Sequence, residues 1–308
     1  MAQRALAMPA APGPEMRPPP EAHQIPERVV TDEHDIAAPP AVATIRTALG
    51  HVRLTPEAEA AVTARAGRNV YTCSIMHASN MSDPVFLITG ASSGIGAATA
   101  RAASQAGYRV VLGARSVGRL DELASELGGE ERALAVRCDV TEWDQQQAMV
   151  AAALDRYGRL DVAFANAGFG AARGFLKETP EHWRSMVLTN VYGAALTIRA
   201  TMSAITEQQG HILLTGSVAG RRALPGSLYS STKWAITGMG ESLRQELNGT
   251  GVRVTVIEPG QVDTPFFDNT GSGRLQADDI ARAIMFAVSQ PPHVDVNEIL
   301  VRPTAQEG

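Results

Sequence analysis

The sequence predicts an α/β fold: a doubly wound parallel sheet of about seven strands, flanked by helices. Three observations point there. Short uninterrupted apolar runs recur from Val85 onward. Longer amphipathic runs separate them, as at Leu120 to Leu127 and Trp143 to Tyr157. The first apolar run passes directly into a glycine-rich turn and then a helical stretch. An apolar strand without polar alternation has both faces covered, which marks a parallel sheet between helix layers. Strand–helix repeats then build a doubly wound sheet, and right-handed crossovers fix its topology.

In chain order, the predicted strands are Val85 to Thr89, Arg109 to Leu112, Ala133 to Val136, Val162 to Ala165, His211 to Thr215, Val252 to Ile257 and Ile299 to Val301. Each is rich in branched apolar residues, which suit a pleated surface. A helix follows the glycine turn through Ala97 to Ala106, a long one runs from His182 to Thr206, and another begins at Ala277.

Ahead of these elements the text differs. Residues 1–80 hold Pro18-Pro19-Pro20 and Pro39-Pro40 and no sustained strand–helix alternation. Only Pro56 to Arg68 reads as a short helix. The segment is expected to be disordered, or a mis-annotated extension if translation begins at Met81. The folded domain is expected over 81–308.

The chain of 308 residues is 44% hydrophobic and 19% charged, an ordinary globular composition. A net charge of -5 and a pI of about 5.8 argue against a nucleic-acid partner, which calls for a basic face. No apolar run approaches the ~18 residues of a membrane span, and the N-terminus lacks a secretory h-region. The two cysteines, Cys73 and Cys138, lie in unlike contexts. A disulfide is not expected, Cys138 reads as a small buried hydrophobe, and the usage fits a reducing cytoplasm.

The first strand runs into Thr89-Gly90-Ala91-Ser92-Ser93-Gly94-Ile95-Gly96. Gly90 permits a tight turn, while Gly94 and Gly96 let backbone approach a pyrophosphate and let the helix pack on the strand. The helix N-terminus adds free N–H groups and a positive dipole end. The spacing is Gly-x-x-x-Gly-x-Gly, and in this it resembles the short-chain dehydrogenase/reductase family. That resemblance extends over residues 84–304. It implies a Rossmann-like sheet of order 3-2-1-4-5-6-7 and a nicotinamide dinucleotide bound at Gly90, Ser92, Ser93, Gly94, Ile95 and Gly96.

The second strand ends in Ala114-Arg115. Relatives that use NAD tend to carry Asp where Ala114 stands. Arg115 can instead pair with the 2′-phosphate of NADP (Arg119 is a nearby alternative), so NADP is the expected cofactor. Asp139 resembles the family's adenine-holding aspartate, with Val140 beside it. Asn166-Ala167-Gly168 matches the family's turn after the fourth strand, with Ala165 in place of its usual first Asn.

Tyr229 and Lys233 lie four apart, on one helical face. With Asn190 and Ser217 they match the family's catalytic tetrad residue by residue. The resemblance implies Tyr229 as general acid/base, Ser217 as donor to the substrate oxygen, Lys233 as holder of the nicotinamide ribose and Asn190 as the residue positioning a relay water. An ordinary phenol titrates near 10, and the Lys233 ammonium is expected to favour the phenolate. Ser230, Ser231 and Thr232 read as surface or packing groups. Further on, Pro259-Gly260-Gln261-Val262-Asp263-Thr264 resembles the family's carboxamide-binding segment. Pro259 and Gly260 set its turn, and Val262 and Thr264 are its expected contacts.

The predicted function is thus hydride transfer between NADP(H) and a small carbonyl or secondary alcohol. The substrate pocket is expected from residues 168–175, from Ala219 to Leu228 and from a short lid after Thr264, with Leu224, Pro225, Phe266 and Phe267 as apolar walls. Gly113-Ala114-Arg115, Val296 to Ile299 and the short lid look like a subgroup acting on small 3-hydroxy acids and assorted carbonyls. No metal is called for. The family implies a homotetramer or homodimer formed through the helices that carry Asn190 and Tyr229. Met186, Val187, Ala194, Ile198, Met202, Trp234, Met239 and Leu243 are the candidate apolar contacts. Two alternatives stay open: a non-catalytic NADP sensor, and an epimerase or dehydratase that recycles its cofactor.

Overall fold

The computed structural model describes residues 83–266 and 273–306. The expectations for residues 1–80, for the Pro56 to Arg68 helix, for Met81, for Cys73 and for Phe267 lie outside the described residues. Seven parallel strands form one sheet. In chain order the strands are β1 (Val85–Thr89), β2 (Arg109–Ala114), β3 (Ala133–Arg137), β4 (Val162–Ala165), β5 (His211–Thr215), β6 (Arg253–Pro259) and β9 (Glu298–Val301). Two short strands, β7 (Val262–Asp263) and β8 (Leu275–Gln276), pair with each other outside the sheet. The sheet order is β3-β2-β1-β4-β5-β6-β9, so the predicted topology is found with β9 in the seventh place.

Helices fill the crossovers: α1 (Gly94–Gln105), α2 (Val117–Glu126), α3 (Trp143–Tyr157), α4 (Pro180–Val187), α5 (Ala194–Glu207), α6 (Leu228–Glu246) and α7 (Ala277–Val288). Alternate residues of each strand serve opposite layers, as the period of two requires. Leu87, Val111, Ala163, Ile212 and Val254 pack against Met149, Ala153, Ile205 and Ile236 of α3, α5 and α6. Phe86, Ile88, Val110, Phe164 and Leu213 pack against Ala100, Leu120, Ile280 and Ile284 of α1, α2 and α7. Phe86, Leu87 and Ile88 are wholly buried, each worth about 1.5–3 kcal/mol of transfer free energy.

The predicted long helix is corrected in one place. Between α4 and α5 the chain makes a π-helical turn at Leu188–Gly193. Such a turn inserts one residue into the helical ladder and reorients the side chains on it. Asn190 sits in this turn.

Parallel pairing brings the carboxyl ends of all seven strands to one edge. β1 pairs with both β2 and β4, so consecutive crossovers leave in opposite directions there and a crevice opens. The Thr89 hydroxyl closes the base of that crevice. It donates to the Phe164 carbonyl at 3.2 Å and accepts from the N–H groups of Asn166 (3.0 Å) and Ala167 (3.2 Å).

Candidate active site

A cleft of ≈ 510 Å³ lies along the carboxyl edge, within the range of small-ligand sites. Its outer end is the turn from β1 to α1. Gly90 (φ 68°) and Gly94 (φ 53°) hold left-handed backbone that other residues adopt at a cost. Gly96 has a different reason. A Cβ there would lie 2.4 Å from the Gly90 carbonyl oxygen and 2.8 Å from Asn166 Nδ2, so only glycine lets the helix sit this close. Ser93, the N-cap of α1, makes no side-chain capping bond, which leaves the leading N–H groups of the helix to a ligand. Backbone of this shape fits a pyrophosphate. Gly90, Ser92, Ser93, Gly94 and Ile95 line the cleft, and Gly96 packs behind it.

Beyond the cradle, Ala114, Arg115, Ser116 and Arg119 line the same cleft. Arg115 is exposed, and Arg119 donates to the Ser116 hydroxyl at 3.1 Å. Asp139 and Val140 also line it, and the Asp139 carboxylate accepts from the Thr141 amide and hydroxyl. Cys138 is a free, buried thiol in the cleft wall, and burial pushes its pKa up to about 11. Asn166, Ala167 and Gly168 form the floor. Asn166 is spent on the scaffold: its Nδ2 donates to the Thr89 carbonyl (3.0 Å) and its Oδ1 accepts from Thr215 (3.1 Å).

At the inner end, Ser217, Tyr229 and Lys233 meet. Ser217 follows β5, and its hydroxyl accepts from the Ala219 N–H (3.1 Å) and donates to the Pro259 carbonyl (3.4 Å). Tyr229 stands in the first turn of α6, which Ser227 caps by accepting from the Ser230 N–H at 3.2 Å. Lys233, one turn on, reaches back and donates to the Thr215 carbonyl at 2.7 Å, with Nζ 5.7 Å from the Tyr229 ring centre. Burial pushes the phenol up to about 12, against a smaller lowering by its hydrogen bond with Ser217. Burial also pushes the Lys233 ammonium down to about 8. The expected bias toward phenolate is therefore absent from the protein alone, because desolvation outweighs the Ser217 hydrogen bond and the lysine adds no lowering of its own.

Asn190 does not join this group. It is 2% exposed and lies outside the cleft lining. Its Oδ1 accepts from the Phe169 N–H (3.0 Å), and its Nδ2 donates to the Phe169 carbonyl (2.9 Å) and to Thr232 (3.2 Å). The π turn aims it at the loop after β4, so the side chain clasps that loop. Thr232, read from sequence as packing, is indeed its partner, and Ser230 accepts from the Leu224 N–H at 3.1 Å.

Pro259, Gly260, Val262 and Thr264 line the cleft opposite the cradle. A Cβ on Gly94 would meet Thr264 at 3.2 Å, so the two walls nearly touch there. The Phe266 ring lies edge-on to Tyr229 at 5.6 Å and covers Gly170. Phe169, Ala219 and Leu224 complete the apolar wall. Pro225 is exposed and outside the lining, since the loop turns away after Leu224.

Sequence reasoning missed several features. Arg221 holds the Ser217 turn by donating to both Glu258 carboxylate oxygens (2.7 and 2.8 Å) and by pairing with Glu298. Glu258 is 1% exposed, and no motif announces it. Gln306 lines the cleft unforeseen, Gln261 lines it from within the predicted segment without having been named as a contact, and Arg173 falls in the expected 168–175 stretch. Among the described residues no cluster of His, Cys, Asp or Glu could hold a metal ion, and no helix is long and apolar enough to cross a membrane.

A glycine cradle at the switch point of a doubly wound sheet thus shares one cleft with buried Ser217 and Lys233 and half-buried Tyr229. Residues 84–274 match the short chain dehydrogenase family. An uncharacterized oxidoreductase of Staphylococcus epidermidis is 38% identical over 226 residues, covering 72% of this chain and 97% of the relative. An alcohol dehydrogenase from the archaeon Thermococcus sibiricus, solved with 5-hydroxy-NADP, superposes with a TM-score of 0.69 at 32% identity, over 73% of this chain and 98% of that one. A 3-ketoacyl-(acyl-carrier-protein) reductase from Brucella melitensis, solved with NADH, gives 0.65 at 31%, over 71% and 96%. The chain belongs to the short chain dehydrogenase family and is an oxidoreductase of that type.

Proposed function

We propose that the protein is an NADP-dependent oxidoreductase that interconverts a small carbonyl compound and its alcohol, with Tyr229 as general acid/base. One observation carries the reading: Ser217, Tyr229 and Lys233 share a cleft with an uncapped, glycine-shaped helix N-terminus. The nicotinamide supplies hydride transfer when bound. Gly90, Ser92, Ser93, Gly94 and Ile95 hold its phosphates, and Asp139 and Val140 flank its adenine. Arg115, with Arg119 near, meets a 2′-phosphate, which favours NADP over NAD. Support also comes from the Thermococcus enzyme solved with an NADP derivative.

The site's own groups manage the proton. Ser217 turns its one hydroxyl hydrogen from the Pro259 carbonyl to the substrate oxygen, and the neighbouring phenol gives its proton to that oxygen as negative charge grows there. The phenol, pushed up to about 12, holds its proton at neutral pH and can give it to the substrate oxygen. The Lys233 ammonium, fixed on the Thr215 carbonyl, steadies the phenolate left behind and holds the ribose. Asn190 acts as a positioning residue through the Phe169 loop, and the relay water expected from sequence is assigned to the same turn. The walls of Phe169, Leu224 and Phe266 exclude water.

The assembly we propose is a homodimer or homotetramer, in the cytoplasm. Of the candidate contacts, Ala194, Ile198 and Leu243 are buried in the core, Met202 and Met239 are partly buried against it and Met186 is buried, while Val187 (39%) and Trp234 (48%) remain exposed, as does Tyr192 (48%). These three are the contacts left for a second copy. A panel of ketones and alcohols, followed at the nicotinamide absorbance with NADP(H) and NAD(H) in parallel, tests the reading. Net consumption of NADPH is expected. Binding without consumption would indicate a sensor, no net change in cofactor an epimerase, and preference for NAD would remove Arg115 from its role.

A further inference from the structure

We infer that residues 302–306, past the last strand, form a wall of the active site, and that Gln306 is a specificity-determining residue. Its side-chain amide donates to a second oxygen of the substrate, distinct from the one that gains or loses hydrogen. The inference rests on the hydride-transfer reading and narrows its substrates to carbonyl or alcohol compounds that carry a further hydrogen-bond acceptor.

The argument starts at the sheet edge. β9 runs parallel to β6, and Val301 stands opposite Pro259. The Gly260 N–H donates to the Val301 carbonyl at 2.7 Å, so the strand pairing continues into the turn behind Ser217. The chain then folds back, with the Gln306 N–H donating to the Pro303 carbonyl at 3.0 Å. This lays the segment directly on Gly260. A Cβ on Gly260 would fall 2.2 Å from Gln306 Oε1, 3.0 Å from Pro303 Cδ and 3.2 Å from the Arg302 Cα. Gly260 has no left-handed φ, so its lack of a side chain serves this approach rather than a turn.

The orientation of the Gln306 amide follows from its partner. Oε1 accepts from the Gln261 N–H at 2.9 Å. A backbone N–H can only donate, so the oxygen must face it, and the NH₂ group faces away. That NH₂ has no protein partner among the described residues, and Gln306 is half-buried in the cleft lining with Ser217, Gly260 and Phe266. An anchored amide with an unused donor, one residue turn from the carbonyl that receives the Ser217 hydroxyl, is placed for a substrate that extends past its reacting carbon.

Two ketones test this. Ethyl 3-oxobutanoate carries an ester oxygen beyond the reacting ketone, and 2-hexanone carries none. Each is titrated into full-length Tyr229→Phe protein saturated with NADPH, and its Kd is read from reduced-nicotinamide fluorescence. Gln306→Glu in that background keeps an acceptor for Gln261 but replaces the donor with an oxygen. The Kd of the oxobutanoate is expected to rise about five- to tenfold, the worth of one hydrogen bond, with 2-hexanone moving less than twofold. Equal shifts for both ketones, or none for either, overturn the inference. If Gln306→Glu lowers the thermal midpoint by more than about 4 °C, Gln306→Met replaces it in the same comparison. NADPH consumption by the unmutated chain on the same ketones is scored separately. A selective Kd shift without consumption sinks the hydride-transfer reading and leaves the Gln306 contact standing.

Discussion

Around β1, β2 and β4 the cleft is made of backbone, three glycines and a bare helix end. Around β5, β6 and α6 it is made of side chains whose polar ends are buried: Ser217 at 8%, Lys233 at 5% and Glu258 at 1% exposed. The first region holds its shape by what is missing, since a methyl group at Gly96 would collide with a carbonyl. The second holds its shape by paired polar groups, each costly to leave alone in a low dielectric. Damage to the first is expected to appear in cofactor binding. Damage to the second is expected to appear in turnover.

The sharpest test of that division is Tyr229→Phe. It removes one oxygen from the side-chain region, and kcat is expected to fall about a thousandfold or more while the Kd for NADPH stays within a few-fold. Comparable losses in both would erase the division. Next is Gly96→Val, which adds bulk against the Gly90 carbonyl. The Kd for NADPH should rise at least tenfold and stability should drop by about 1–3 kcal/mol, read by titration and urea unfolding. A Gly96→Val protein that binds normally would mean the cradle is not where the phosphates lie. Smaller still is Arg115→Ala. It is expected to weaken NADP about tenfold and to leave NAD within twofold, the loss of one charge-assisted contact.

The last test reads stability instead of binding or turnover, and concerns Lys233. Its folded pKa, about 8, lies below the usual 10.5 of lysine, so between those values the unfolded chain binds more protons than the folded one. Stability should therefore rise with pH from about 8 to about 10.5, by no more than about 1.4 kcal/mol per unit, as the burial penalty on the ammonium is relieved. Tyr229, held at about 12, works in the opposite sense above pH 10, where the folded state keeps the proton longer. Lys233→Met should flatten the rise between pH 8 and 10 in urea unfolding. An unchanged slope would show that another group sets it.

The two regions also differed in how far the sequence revealed them. Backbone features leave glycines at fixed spacing, so the cradle from Gly90 to Gly96 could be read directly, as could seven strands from their apolar runs. Trp143–Tyr157 was predicted to the residue, because its periodicity is unbroken. The π turn at Leu188–Gly193 was invisible, since one inserted residue leaves the helical pattern intact on either side. The bonds from Asn190 to Phe169 and Thr232 were therefore not foreseen. The desolvation that raises Tyr229 depends on neighbours remote in sequence and has no local sign. Glu258 with Arg221, and Gln306 with Gln261, are long-range pairs of the same kind. The tail had one usable clue: in a parallel sheet the chain leaving the last strand must emerge at the same edge as every other carboxyl end.

Thr89 carries a consequence for motion. Where β1 and β4 part, a single hydroxyl satisfies one carbonyl and two amides, so the width of the gap is set by the reach of one oxygen and not by whatever fills it. The floor of the cleft is thus preformed, and a ligand meets it without having to pry the sheet open. Entry and departure must be governed by the rim, on the side of Thr264 and Phe266, which makes the rate of exchange and the strength of grip separable properties of this protein.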